Sequence, residues 1–214
     1  MANETAQQVP VIYDGRTIDE ALTALQFMRS SMRRFCHLEY CLETYNFIPG
    51  VFVELGVFKG ETLNFIAGRQ QRNKIYGFDS FKGLPEKWQH KNNMFKEKGR
   101  WAVNKLPEVR ENITLIKGLF KDSIPQWKNK KPISFLHVDC DLYSSTYTAL
   151  TLLNKLIVKR TLILFDELYD WTSKGHLFHL HEWRAFVQWV IEYKRKFFIY
   201  SRSRDQRAAF VIEA

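Results

Sequence analysis

The chain has 214 residues, of which 45% are hydrophobic and 26% charged; that size and balance suit one α/β domain and exclude a largely disordered chain. Lys and Arg outnumber Asp and Glu by 32 to 23, and the net charge of +9 suits an acidic partner without choosing among nucleic acid, a phosphorylated small molecule and an anionic surface. Cys36, Cys41 and Cys140 cannot all pair and have no C-x-x-C spacing, which excludes a disulfide scaffold and a zinc finger. The opening MANETAQQVP lacks the basic-then-apolar order of a secretory signal. No apolar run approaches the roughly 18–20 residues of a membrane span. The expectation is a soluble, cytoplasmic protein. Its basic residues are densest from Lys82 to Arg110 and from Lys194 to Arg207.

In chain order, apolar residues at helical spacing (Ile18, Leu22, Leu25, Phe27, Met28, Met32, Phe35, Leu38, Leu42) predict one or two helices, closed by Pro49-Gly50. A wholly apolar strand, VFVEL, follows at 51–55 and stops at Gly56. Similar runs recur at 74–79, 113–118, 133–139 and 161–167, with helical stretches between most of them, such as 147–156. Strands apolar on both faces and alternating with helices imply a parallel sheet covered on both sides. After a helix at about 182–194, the runs 196–202 and 208–213 are separated by only five residues. No crossover helix fits there, so these two strands form an antiparallel hairpin. With no linker or repeat, residues 1–214 read as one domain: a helical segment at 1–47 and a core at 48–214.

In such a sheet, ligands bind beyond the carboxyl ends of the strands. The first apolar strand runs into Glu54-Leu-Gly-Val-Phe-Lys-Gly-Glu-Thr62, where Gly56 and Gly60 bracket a loop that opens a helix. Backbone can approach a ligand closely there, and the helix start offers free N–H groups. The loop matches neither the G-x-G-x-x-G fingerprint nor the G-K-[ST] of a P-loop. Glu54 would repel a pyrophosphate but suits a cationic amino group. The next strand ends in Asp79, 23 residues after Gly56, close to the spacing at which an acid accepts the hydroxyls of a ribose. Together these features suit an adenosine-containing ligand with an amine at its far end, and S-adenosylmethionine fits better than NAD.

Two further strand ends carry acids: His137-Val-Asp139-Cys-Asp141 and Phe165-Asp166-Glu167. Neighbouring parallel strands lie about 4.8 Å apart, so Asp139, Asp166 and Glu167 can converge. Unpaired carboxylates that close repel, and a divalent cation such as Mg²⁺ would resolve the conflict. Helix capping, or pairing with Lys or Arg, is the alternative. His137 shares a strand side with Asp139 and reads as a buried strand histidine. His176, His179 and His181 cluster after the fifth strand as acceptor-side candidates. Trp171, Trp183 and Trp189 read as packing residues.

The stretches VFVELGVFKGET, YGFDSFKGLPE, HVDCDLYSSTYTAL and LFDELYDW resemble the motifs of class I S-adenosylmethionine-dependent methyltransferases, and in particular the macrocin O-methyltransferase-like family. The likeness runs in order from about residue 45 to the C-terminus. It implies a Rossmann-like, doubly wound, seven-stranded sheet that is mostly parallel and ends in an antiparallel hairpin, with helices on both faces. It also implies methyl transfer to sugar hydroxyls with Mg²⁺, release of S-adenosylhomocysteine, and a homo-oligomer.

By the same resemblance, Glu54 and Gly56 line the methionine moiety, with Gly60, Glu61 and Thr62 completing that loop. Asp79 holds the ribose diol, and Ser80 and Phe81 flank the adenosine. Gly118 and Phe120 to Asp122 wrap the adenine. Asp139, Asp166 and Glu167 take the metal-ligand positions, although relatives commonly have Asp-Asp where this chain has Asp166-Glu167. Segment 1–44 corresponds to a helical lid. The expected reaction is in-line displacement at the sulfonium, with Asp139 accepting the proton of a metal-bound hydroxyl. The basic stretch after Asp79, with Lys87, Lys91 and Lys96, suggests an anionic, nucleotide- or sugar-linked acceptor. An RNA or protein methyltransferase on this fold, and a non-catalytic nucleotide-binding protein, are the rivals; no appended RNA-binding module is visible, so nucleic acid is the weaker partner.

Overall fold

The computed structural model describes residues 12–13 and 18–214, so the opening MANETAQQVP and part of the expected lid lie outside the described residues. In chain order the elements are β1 (Ile12–Tyr13), α1 (Ile18–Phe27), α2 (Arg34–Thr44), β2 (Val51–Leu55), α3 (Glu61–Arg69), β3 (Ile75–Asp79), β4 (Trp88–Lys91), β5 (Met94–Lys96), β6 (Ile113–Lys117), α4 (Phe120–Gln126), β7 (Ile133–Val138), α5 (Tyr143–Leu153), β8 (Ile157–Phe165), a 3-10 turn (Phe178–Leu180), α6 (Glu182–Glu192), β9 (Phe197–Arg202) and β10 (Ala208–Ile212).

The main sheet has the order β1-β9-β10-β8-β7-β2-β3-β6. Strands β6, β3, β2, β7 and β8 pair in parallel, while β10 pairs antiparallel with both β8 and β9. These are the seven strands expected, hairpin included. The two-residue β1 adds an eighth, antiparallel to β9.

Residue-by-residue alternation divides the interior into two layers. In β2, Val51, Val53 and Leu55 face a core shared with α1, α4, α5 and α6, where Leu25, Leu150, Phe186 and Trp189 are fully buried. Phe52 faces the opposite layer, formed with α2 and α3 through Leu38, Leu63 and Ile66. In β10, Phe210 and Val211 divide in the same way. Both faces are covered, which explains why the strands read as continuous apolar runs. Among the described residues, no helix is long and apolar enough to cross a membrane.

The sequence-level reading does not include the β4–β5 hairpin, whose strand WQHK alternates without an apolar run. The hairpin docks on the segment after β8, where Leu177 N–H donates to the His90 carbonyl (2.8 Å) and His181 Nε2 meets the Gln89 carbonyl (2.9 Å). At the opposite end of the chain, α2 is tied to the C-terminal hairpin. His37 Nε2 lies 2.9 Å from Ser201 Oγ, and Arg204 N–H donates to the Met32 carbonyl at 2.8 Å.

His37 is fully buried, and burial, reinforced by the Arg207 charge, lowers its pKa to about 3. In the unfolded chain a histidine titrates near 6.5, so between those values the unfolded state binds the extra proton. His37 therefore contributes stability above pH 6.5 that is lost as the pH falls toward 3, at up to about 1.4 kcal/mol per pH unit. Urea denaturation across pH 7 to 4 is expected to show this decline. The decline should be shallower in His37→Gln.

Candidate active site

The carboxyl ends of β2, β3, β6, β7 and β8 open into one cleft of about 750 Å³, within the size range of small-molecule sites. One end of it is built around Gly56. The residue has φ +90°, and a Cβ there would stand 1.8 Å from the Asp139 carbonyl oxygen. Asp139 N–H in turn donates to the Leu55 carbonyl at 2.9 Å. Only glycine allows the ends of β2 and β7 to run this close. Gly60, at φ +78°, then starts α3, and no side chain caps that helix.

Asp79 ends β3 and holds the glycine loop in place. Its Oδ2 accepts the N–H groups of Val57 and Phe58 at 2.8 Å each, and its Oδ1 accepts that of Phe81 at 2.7 Å. A carboxylate has about four acceptor positions, so this one, which also lines the cleft, retains capacity for a ligand hydroxyl.

The expected site residues divide between lining and support. Gly56, Glu61, Thr62, Asp79, Ser80, Gly118, Phe120, Asp139, Asp166 and Glu167 all line the cleft. Gly60 lies behind it, against Pro107. Phe81 is buried in the layer below α3, and Glu54 is 1% exposed beneath the loop. His176 pairs with Asp170 and stacks on Phe178, His181 bonds the β4–β5 hairpin, and His179 packs beside Tyr169; none of the three lines the cleft.

Beneath the cleft a row of charges crosses four strands. His137 Nδ1 lies 2.9 Å from Glu54 Oε1, and its Nε2 lies 3.8 Å from Asp166 Oδ1. Burial opposes charge on this imidazole, but Asp166 and Glu54 outweigh it and raise its pKa to about 10. It is therefore held between two carboxylates, not a strand histidine satisfied by backbone, while burial in turn raises the Glu54 carboxyl. Arg207 grips both oxygens of Asp166, Nε to Oδ1 at 2.7 Å and Nη2 to Oδ2 at 3.1 Å. These partners overcome burial and hold the Asp166 carboxyl well below the usual range.

The expected metal trio is thus already engaged. Asp166 is neutralised by Arg207 and His137, Asp139 Oδ2 accepts from Arg34 at 3.3 Å, and Glu167 Oε1 accepts from Gln206 at 3.3 Å. Among the described residues, no group of three or more His, Cys, Asp and Glu side chains forms a metal-binding arrangement. As paired here, Asp139, Asp166 and Glu167 do not fit a shared cation. Asp139 and Glu167 stay open to the cleft together with Asp141, which adopts φ +61°. Burial pushes the carboxyls of Asp139, Asp141 and Glu167 well above the usual range, each reinforced by a neighbouring acid.

Four residues central to this arrangement are outside the sequence-level site. Arg34 comes from α2, Arg207 from the β9–β10 turn, Asp141 from just beyond β7, and Glu182 from the first turn of α6. Glu182 is fully buried; its Oε1 accepts Cys140 N–H at 3.3 Å and its Oε2 accepts Glu167 N–H at 3.2 Å. It pins together the chain ends that carry Asp139 and Glu167. In sequence its only signal is an acid at a helix start.

A glycine loop after the first parallel strand, an acid ending the second and an antiparallel last strand define the class I S-adenosylmethionine-dependent methyltransferase architecture. The family model for macrocin O-methyltransferase (TylF) matches residues 6–186. The chain belongs to this family and is an S-adenosylmethionine-dependent O-methyltransferase. No curated protein matched in sequence.

Among solved structures, the calicheamicin methyltransferase CalS11 is similar at 20% identity, covering 91% of this chain and 83% of that one, with a TM-score of 0.60. The O-methyltransferase NovP follows at 19% identity over 78% of this chain and 73% of that one, with a TM-score of 0.55. Fibrillarin from Aeropyrum pernix, solved with natively bound S-adenosyl-L-methionine, is 13% identical over 76% of this chain and 66% of its own, with a TM-score of 0.50. At these identities the likeness is one of fold.

Removing the Glu182 carboxylate leaves two buried N–H groups without acceptors, at about 1–3 kcal/mol each. Glu182→Ala is expected to lower the urea midpoint and weaken S-adenosylhomocysteine binding measured by calorimetry. Glu182→Gln, which keeps one acceptor, should fall between it and the wild type.

Proposed function

We propose that this chain methylates a hydroxyl of a sugar or related small molecule, with Asp139 accepting the proton. One observation carries the reading: among the acids under the glycine loop, Asp139 both touches the loop backbone and opens to the cleft, its side chain about a quarter exposed. Glu54 and Asp166 lie deeper and are engaged by His137 and Arg207.

The donor S-adenosylmethionine supplies an electrophilic methyl group on sulfur. In this scheme the loop from Gly56 to Thr62 receives its methionine end. Asp79 and Ser80 take the ribose, and Gly118 to Phe120 form the wall against adenine. Glu54 and Phe81 act from behind, through His137 and the Asp79 loop. An acceptor hydroxyl approaching from the Asp141 and Glu167 side forms the new C–O bond as the C–S bond breaks. Its proton passes to Asp139, and S-adenosylhomocysteine leaves. A carboxyl whose proton affinity is raised is a stronger base than an ordinary carboxylate once ionised. The sheet contributes by holding donor and acceptor in line.

The divalent cation implied by the resemblance is left out of this step because Arg207 and His137 already neutralise Asp166. For the acceptor class, support comes from the family and from CalS11, which is a TDP-rhamnose 3'-O-methyltransferase. The basic stretch after Asp79 gives the cleft Arg100, whereas Lys87, Lys91 and Lys96 do not line it. Lys87 pairs with Glu97 at 3.1 Å and lies over the Phe95 ring.

The test is a screen of hydroxylated and nucleotide-linked sugars with S-adenosylmethionine, reading one added methyl group by mass spectrometry. Asp139→Asn is expected to lower turnover by about 100-fold or more while S-adenosylhomocysteine still binds. Near-normal turnover in that variant would remove Asp139 from the scheme. If the rate depends on Mg²⁺ after EDTA treatment, a cation joins the scheme and Arg207 must release Asp166. Charge reversal at Lys87, Lys91 and Lys96 is expected to leave the rate within about twofold of wild type, as for exposed charges away from the reacting groups.

A further inference from the structure

The methionine end of the donor is a zwitterion, and the proposed scheme assigns no partner to its carboxylate. Four cationic side chains line the cleft: Arg34, Lys59, Arg100 and Lys121. Of these, Arg34 touches the start of α3 and Asp139 at once, with Nη2 3.1 Å from Thr62 Oγ1 and 3.3 Å from Asp139 Oδ2. Lys121 follows Phe120 on the adenine side, Arg100 precedes Trp101 on the segment between β5 and β6, and Lys59, in the glycine loop, holds its ammonium over the neighbouring Phe58 ring, 5.4 Å from the centroid.

Arg34 also has donors to spare. Its side chain is 43% exposed toward the cleft, and its hydrogen bonds to Thr62 and Asp139 both use Nη2. Its Nε is buried and faces Asp166 Oδ1 at 3.7 Å, which leaves the exposed Nη side of the group to meet a ligand. A guanidinium is a planar fork whose paired N–H groups match a carboxylate in two places. Beside it, the first turn of α3, with no side-chain cap, favours negative charge, part of which Glu61 already supplies. Asp139, on the other side of Arg34, favours the positive ammonium and sulfonium. The charges at this end of the cleft are therefore ordered to match a zwitterion.

We infer that Arg34 binds the α-carboxylate of the donor's methionine moiety, so that helix α2 contributes directly to the donor site. This rests on the reading of the cleft as an S-adenosylmethionine site. Arg34 acts in binding; the proton transfer stays with Asp139. The inference also gives the N-terminal helical segment a chemical task, since α2 reaches the cleft through this side chain.

The experiment compares ligands that differ only at the amino-acid end. S-adenosylhomocysteine, its decarboxylated analogue S-adenosyl-3-thiopropylamine, and 5'-methylthioadenosine are titrated calorimetrically into the wild type, Arg34→Ala and Arg34→Lys. Arg34→Ala is expected to weaken S-adenosylhomocysteine about 10- to 100-fold, the value of a charge-assisted hydrogen bond. The two ligands lacking the carboxylate should change less than about twofold, in keeping with the loss of no contact to them. Arg34→Lys, which keeps the charge but not the fork, should lie between. Equal weakening of all three ligands, or none, would overturn the inference and leave the donor reading intact. Failure of the wild type to bind any of the three would overturn both.

Discussion

The structure depends on a buried row of opposite charges that stitches distant parts of the chain together. Glu54 on β2, His137 on β7, Asp166 after β8 and Arg207 before β10 follow one another across the sheet, with Arg207 also holding Asp205. Each is almost fully withdrawn from water, and an isolated charge there would cost several kcal/mol. Alternation of sign removes that cost only if every member is present. A buried row of this kind adds little net stability, but it tolerates no gap, and so it fixes which strands lie side by side.

That constraint carries upward to the cleft. With Asp166 and Glu54 committed to Arg207 and His137, the other acids of this cluster that line the cleft are Asp139, Asp141 and Glu167. Glu182 sets their spacing from behind by holding the backbone at Cys140 and Glu167. Gly56 sets the approach of the glycine loop to the same point. The cleft thus has an acidic cluster and, beside it, Arg34 standing between Thr62 and Asp139. Net charge describes it poorly. Of the basic stretch after Asp79, Arg100 reaches the cleft, while Lys87 is spent on Glu97 and Phe95.

Much of this was legible from residue order. Strands such as VFVEL and the run at 133–139 are apolar on both faces because helices cover both, and that pattern survives in a single sequence. The five-residue turn before β10 forces an antiparallel hairpin, and Gly56, Asp79, Gly118 and Asp139, which line the cleft, are legible as candidates because ligands gather at strand ends. The β4–β5 hairpin was not legible, since WQHK and MFK are short and polar and are held by contacts with the 177–181 segment. Glu182, Arg207 and Arg34 were missed for a related reason. Each is an ordinary charged residue in its own segment, and each acts on a strand end far away in sequence.

The sequence by itself therefore determined the layers, the strand order's parallel core and the chemistry available at the strand ends. Those follow from local periodicity, from turn length and from the rule that puts sites at carboxyl ends. Only the tertiary structure decided how the acids are used. Asp139, Asp166 and Glu167 converge as expected, yet Asp166 faces Arg207 and His137 instead of sharing a cation with the other two. The physical reason is that the charge state of a buried acid is set by its neighbours in space. Here those neighbours come from α2, α6 and the C-terminal hairpin, which no spacing along the chain connects.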